Sequence, residues 1–244
     1  MADADFLTVL DPYAPNEAFP PTELAWESPN GLLAVGGCLS VPRLINAYRS
    51  GIFPWFNQGE PIYWWSPDPR AVLYPHKIKF SRSLRKSMRN KGYKIFFDHD
   101  FTAVLKACAA PRSSQEGTWI TDEMFQAYQS LHIAGIAHSV EVYNADDHLV
   151  GGLYGVAANG VFSGESMFSR ERDVSKIALI ALAYHLHQWG FSLIDCQMES
   201  AHLTSMGAEN ISRNHYIKIL RQTHPIDVQW QIDHGCDLSR WQAS

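Results

Sequence analysis

From residue 70 onward, apolar positions recur with two periods that take turns along the chain, one close to two residues and one close to ~3.6. Short apolar runs predict strands over 71–74, 93–97, 138–143, 149–156, 161–168 and 191–198. Helical spacing between them predicts helices over 81–90, 100–109, 122–134, 174–189 and 214–220. Ser81 and Thr121 are suited to cap two of these, because their hydroxyls can accept the unpaired amides of a first turn. Asp122 and Glu123 place acid at the positive end of the 122–134 helix, and Gly190 stops the 174–189 helix. Residues 144–148 read as the turn of a hairpin. Antiparallel strands followed by strand–helix–strand predict an α+β fold built on a mixed sheet.

Before residue 70 neither period holds. Eleven of the thirteen prolines lie in the first 75 residues, and proline removes a backbone donor and fixes φ. Loops and short elements are expected there, with one helix over 42–49 begun by Ser40 and Pro42 and ended by Gly51. A boundary near Ser66-Pro67-Asp68-Pro69 divides a small domain, 1–68, from a larger one, 69–244.

Composition narrows the class. At 46% hydrophobic and 18% charged, the 244 residues have an ordinary globular balance. No apolar run reaches the ~18 residues of a membrane span, and the amino terminus is acidic where a secretory signal is basic. A cytoplasmic protein is the expectation. Cys38, Cys108, Cys196 and Cys236 lie far apart in sequence and read as reduced thiols. The net charge of −5 confines any nucleic-acid contact to a local patch.

Such a patch exists. From Lys77 to Lys94 the chain carries eight of its twenty Lys and Arg residues and no acid. Arg82, Arg85, Lys86 and Arg89 share one helical face, opposite Phe80, Leu84 and Met88. A solvated face is the plain alternative, but unrelieved repulsion between neighbouring cations favours a bound polyanion. Nothing in the patch reads bases, so a phosphate backbone is its expected partner.

Two further clusters suggest a site. Phe53, Trp55, Phe56, Tyr63, Trp64 and Trp65 crowd thirteen residues, and strand alternation prevents all of them from pointing inward. Some should line a groove able to stack a base or cover an apolar side chain. In the 191–198 strand, alternation places Asp195 and Gln197 on one face and Ile194, Cys196 and Met198 on the other. A carboxylate in an apolar strand is costly unless paired, so Asp195 is either structural or part of a site. Glu165 repeats the pattern on the preceding strand. No Walker sequence, dinucleotide fingerprint or Gly-x-Ser-x-Gly elbow is present. Cys196 reads as core.

Over residues 19–216 the chain resembles the leucyl/phenylalanyl-tRNA–protein transferases. The resemblance rests on NGLLAVGG at 30–37, GIFPWF at 51–56, WWSPDPR at 64–70, EGTWIT at 116–121, GESMFS at 164–169 and IDCQ at 194–197. It implies a small amino-terminal domain joined to an acetyltransferase-like (GNAT) domain, working without metal or coenzyme; a monomer is expected. It implies transfer of Leu, Phe or Met from aminoacyl-tRNA to proteins beginning with Arg or Lys, which marks them for degradation. By the same resemblance, Asp195 and Gln197 are a catalytic pair and Glu165 an acidic site residue. Trp55, Trp119 and Tyr128 match aromatics that hold the terminal adenosine. Leu153, Phe162, Met167, Leu182, Leu186 and Ile194 match the amino-acid pocket. Arg82, Lys86 and Arg89 match a basic cluster for tRNA.

Two rivals stand beside this reading. A coenzyme A-dependent acetyltransferase would need a glycine-rich loop before its long helix, and residues 169–176 contain no glycine. A non-catalytic tRNA- or peptide-binding module would need no Asp195 beside Gln197. The glycine-free loop itself carries Arg170, Arg172, Ser175 and Lys176, which either contact a phosphate upstream of the adenosine or pair with Glu171 and Asp173.

Overall fold

The computed structural model describes residues 7–110 and 120–230, and it has two sheets. The first is built from β1 (Thr8–Leu10), β2 (Leu32–Gly36), β3 (Phe53–Pro54) and β4 (Tyr63–Trp65), with helix α1 (Val41–Arg49) between β2 and β3. Its strand order is β1-β2-β4-β3. These strands of two to five residues, set among prolines, are too short to show a period, and the sequence pattern does not resolve them. Helix α1 has Pro42 in its first turn as expected, but Ser40 makes no side-chain cap. Its hydroxyl accepts instead from the Cys38 thiol at 3.3 Å.

The second sheet follows the predicted alternation closely. Its elements are β5 (Arg70–Leu73), α2 (Arg82–Asn90), β6 (Lys94–Phe97), α3 (Phe101–Ala109), α4 (Asp122–Ile133), β7 (Ala137–Tyr143), β8 (Leu149–Ala158), β9 (Val161–Ser169), α5 (Val174–Gln188), β10 (Leu193–Gln197), α6 (Ala201–Ser205), β11 (Glu209–Ile211) and α7 (Arg213–Gln222). Ser81, Asp100 and Thr121 cap α2, α3 and α4 by accepting first-turn amides. Elements α6 and β11, five and three residues long, were below what spacing can show.

The strand order is β11-β5-β10-β9-β8-β7-β6. Every pair is antiparallel except β9 with β10, which α5 joins by a crossover. This mixed sheet with its one parallel pair is acetyltransferase-like, as the family resemblance implies. Helix α5 is apolar nearly all round because it is enclosed: nine of its residues are buried, in a cluster with Leu153, Phe162 and Ile194. The opposite side of the sheet shares a second cluster with α3, α4 and the small sheet, running from Tyr154 and Val156 through Tyr128 to Tyr48 and Trp64.

The parallel pair is also where the sheet opens. Strands β9 and β10 keep register through Leu193 with Val161, Ile194 with Phe162 and Asp195 with Ser163, and no further. Immediately beyond, each carries one extra residue against its outer neighbour. In β9 it is Glu165, between Gly164 and Ser166; in β10 it is Cys196, between Asp195 and Gln197. Two bulges side by side splay the strands and turn the side chains that follow.

Candidate active site

Asp195 closes one end of the opening. It is wholly buried, and both of its oxygens are fully engaged. Oδ1 accepts from Arg70 Nε at 2.8 Å and from the Gln197 backbone N–H at 2.9 Å. Oδ2 accepts from Arg70 Nη2 at 2.7 Å, Tyr216 Oη at 3.0 Å and Ser163 Oγ at 3.1 Å. Arg70 in turn lies between the rings of Phe53 and Tyr216, at 4.8 and 4.7 Å from their centroids. Burial works against the guanidinium charge, but the adjoining Asp195 carboxylate outweighs it and holds the Arg70 pKa above its ordinary value. The site and structural readings of Asp195 thus converge: it is paired, and what it pairs with includes the backbone of Gln197.

Gln197 departs from the strand. Its φ is +63°, and Met198 N–H closes a tight reversal on the Cys196 carbonyl at 2.7 Å. A non-glycine residue in this region costs on the order of 1–3 kcal/mol and persists where its surroundings fix it. Simple alternation from Asp195 therefore does not place the Gln197 side chain; the bulge and the Asp195 bond to its amide do. Gln197 Nε2 donates to Glu165 Oε1 at 2.9 Å.

Glu165 is half-buried and less fully satisfied. Its Oε2 accepts from Tyr128 Oη at 2.5 Å, and Tyr128 is backed by Tyr48 Oη at 2.9 Å. Burial pushes the Glu165 carboxyl up to about 7; the Tyr128 and Tyr48 hydroxyls pull it down, Asp195 raises it and Arg70 lowers it. Burial also raises the neighbouring Cys196 thiol, with Asp195 adding to the effect, which keeps it from acting as a thiolate.

Two cavities meet at these residues. The larger, about 520 Å³, lies between the splayed strands and α5, with walls that include Leu153, Phe162, Met167, Leu179, Leu182 and Ile194. The smaller, about 350 Å³, lies toward the small sheet against Pro29, Phe53, Pro54, Trp55, Trp65 and Pro67. Glu165, Cys196 and Gln197 line both. Trp55 is 45% exposed at the rim and meets Trp65 edge-to-face at 5.7 Å, while Trp64 is buried, so the tryptophans divide between groove and core as alternation requires.

Some expected residues lie elsewhere. Tyr128 is wholly buried and lines neither cavity, because its hydroxyl is drawn to Glu165 from the core side. Leu186 is likewise buried outside the large cavity, whose wall has Leu179, one turn before Leu182, instead. Ile194 does line it, because the cavity reaches the α5 side of the sheet. Trp119 lies outside the described residues. Arg70, Tyr48, Tyr216 and Ser163 were not singled out from the sequence; the available signals were the WWSPDPR motif that ends on Arg70 and an arginine at the head of an apolar run, Arg70-Ala71-Val72-Leu73.

The basic face of α2 stands as expected. Arg82, Lys86 and Arg89 are exposed, and none of them makes an ion pair with an acid among the described residues. In the loop before α5 the pairing alternative describes what is seen. Lys176 Nζ and Arg172 Nε lie 3.0 and 3.4 Å from Asp173, and Arg170 donates to the Leu149 carbonyl at 3.0 Å. Among the described residues no group of three His, Cys, Asp or Glu is placed to hold a metal ion, and no helix is long and apolar enough to cross a membrane.

Comparison with known proteins gives one result. The family model for leucyl/phenylalanyl-tRNA protein transferase matches residues 72–221, and the model for that family's N-terminal domain matches residues 37–68. The leucyl/phenylalanyl-tRNA–protein transferase of Nitrosomonas europaea is 57% identical over 218 residues, covering 88% of this chain and 92% of its own. That of Alkalilimnicola ehrlichii is 51% identical over 231 residues, covering 93% and 90%. Among solved structures, a GCN5-related N-acetyltransferase from Kribbella flavida overlaps 66% of this chain and 57% of its own at a TM-score of 0.33 and 14% identity. The acetyltransferase-like topology stands on the strand order itself. With the family's two models matching residues 37–68 and 72–221 and relatives of this identity over nearly the whole length, the chain belongs to the leucyl/phenylalanyl-tRNA–protein transferase family.

Proposed function

We propose that the protein moves Leu, Phe or Met from aminoacyl-tRNA to the α-amine of proteins that begin with Arg or Lys, tagging them for degradation in the cytoplasm. The observation that carries this is the meeting of an apolar cavity and an aromatic-walled cavity at Glu165 and Gln197. The large cavity takes the donor amino-acid side chain against Leu153, Phe162, Met167, Leu182 and Ile194. The small one takes the terminal adenosine against Trp55. The ester joining them then crosses the rim. The basic face of α2 holds the tRNA backbone through Arg82, Lys86 and Arg89.

The donor is already activated, so little chemistry is asked of the protein. An α-amine has a pKa of ~7.7–8, and a useful fraction is neutral near pH 7. Its lone pair attacks the ester carbonyl carbon; the ester C–O bond breaks as the amide forms, and the ribose oxygen leaves as a hydroxyl. Gln197 contacts the attacking amine through its side-chain carbonyl. Glu165 accepts the proton that the amine loses and returns it to the departing oxygen. Asp195 is a positioning residue, fixing the Gln197 backbone. Holding both reactants at the rim supplies most of the acceleration, since well-oriented reactants gain up to about 7–11 kcal/mol.

The test supplies labelled leucyl-tRNA and acetyl-CoA in turn, with an Arg-initiated peptide as acceptor. Label on the peptide from leucyl-tRNA alone is expected. Acetylation, or no transfer from leucyl-tRNA by the folded protein, overturns the proposal. The triple variant Arg82→Ala, Lys86→Ala, Arg89→Ala should bind tRNA more weakly, with a log–log salt slope flatter by about 2–3.

A further inference from the structure

Residues 223–230, after α7, form no helix or strand, yet one of their side chains is buried. Trp230 is only 8% exposed. Its ring stacks on His138 at 3.9 Å between centroids with 7° between planes, and it meets Trp189 at 4.9 Å, Phe162 at 5.7 Å and Phe191 at 5.9 Å. Of these neighbours, Phe162 alone lines the large cavity, and Trp230 does not line it. Trp230 therefore touches the wall of the cavity from outside.

Phe162 has little freedom from the other directions. It lies against Gly155 of β8, where a Cβ would come within 2.5 Å of its Cε1 and 2.7 Å of its Cζ. Glycine at that position lets the ring settle onto the strand. His138 is the register partner of Gly155 across β7, so Trp230, His138, Gly155 and Phe162 are stacked or adjacent in one continuous packing. Interiors are close-packed, so a ring held on its outer side by an indole cannot move outward unless the indole leaves.

We propose that Trp230 is a specificity-determining residue, which sets the size of the donor cavity by bracing Phe162 from behind. This rests on the reading that the large cavity takes the donor side chain. With Trp230 in place the cavity has a fixed depth behind Phe162. Without it the phenylalanine ring can tilt into the space vacated, and the cavity deepens toward the tail.

The experiment measures kcat/KM for leucyl-, phenylalanyl- and tyrosyl-tRNA donors with Trp230→Ala, Trp230→Phe, Leu182→Ala and Leu220→Ala. Leu220 is a buried residue of a separate cluster, against Val72 and Tyr216, and reports a general loss of packing. Trp230→Ala is expected to raise the ratio for phenylalanyl over leucyl donors by about tenfold, the order of effect that a small change of volume has in an apolar pocket. Tyrosyl transfer should become measurable. Trp230→Phe should keep most of the original ratio, and Leu220→Ala should lower all donors alike. If Leu182→Ala moves the ratio and Trp230→Ala does not, the bracing role is wrong while the cavity reading stands. If neither moves it in folded protein, the cavity is not the donor pocket and both fail.

Discussion

Asp195 and Glu165 lie on adjacent strands within one turn of chain of each other's bulge, yet their surroundings treat them in opposite ways. Asp195 is wholly buried and receives five hydrogen bonds, two of them from one guanidinium. Glu165 is half-buried, receives bonds from Tyr128 and Gln197, and faces two cavities. A buried carboxylate with every lone pair matched makes a rigid anchor. A buried charge only partly matched sits near neutrality in its titration, and it can trade a proton with whatever arrives. Under the proposed function, the contrast makes the first the scaffold and the second the group that handles the proton.

The largest effect that would break this contrast is one of stability. Removing one partner of a buried ion pair leaves the other uncompensated and typically costs about 3–5 kcal/mol. Arg70→Met should therefore lower the unfolding free energy by about that amount in chemical denaturation. Glu165→Gln should not lower it at pH 8. The sign follows from burial: the Glu165 carboxyl titrates at about 7 in the fold against an ordinary 4.5, so its ionised form is disfavoured there. The native protein loses stability as pH rises through the interval from 4.5 to 7, and the glutamine variant lacks that loss. Equal destabilisation by both substitutions would erase the distinction between the two acids.

How much of this could be seen in the sequence follows from what sets each feature. Long elements are set by local periodicity and caps, so α2, α3, α4, α5 and strands β7 to β9 were legible to within one or two residues at most ends. The basic face of α2 was legible because charge at helical spacing is itself the signal. The strands of the small sheet were not, since two to five residues give no period and prolines mask propensity. The site was half legible. Asp195, Gln197 and Glu165 stand out as polar residues in apolar strands, but alternation gave the wrong reason for Gln197, because a bulge breaks the count at Cys196. Arg70, Tyr216 and Tyr48 reach the site from 125, 21 and more than a hundred positions away in sequence, and no local pattern encodes such pairings.

A second, smaller effect concerns rate. A positioned acid or base is typically worth about 10²–10⁴-fold. Glu165→Gln should lower the transfer rate by at least about 10²-fold with little change in aminoacyl-tRNA affinity. Gln197→Ala should do the same by removing the contact to the amine, and both should leave the unfolding midpoint near that of the parent. Asp195→Asn should show losses in rate and in stability together, since it disturbs Gln197 and the Arg70 pair at once. A loss confined to tRNA affinity in Glu165→Gln or Gln197→Ala would move those residues from chemistry to binding.

The smallest predicted effect sharpens the contrast without removing either acid. Tyr128 lines neither cavity, and its hydroxyl donates to Glu165 at 2.5 Å with Tyr48 behind it. That bond favours the ionised carboxylate and lowers a pKa that burial has raised. Tyr128→Phe deletes the donor and keeps the ring, so packing against Tyr154, at 5.2 Å, is retained. A hydrogen bond to a charged group is worth ~1.5–3 kcal/mol and one pKa unit is 1.36 kcal/mol, so a rise on the order of one unit is expected. The acidic limb of the kcat/KM profile should move to higher pH by that amount, because a larger fraction of Glu165 is protonated and unable to accept a proton. The rate on the alkaline plateau should change little. Tyr48→Phe, one bond further away, should move the limb in the same direction and less. A uniform fall in rate with an unmoved limb would show that Tyr128 only packs, and the proton would then have to pass to water and not to Glu165.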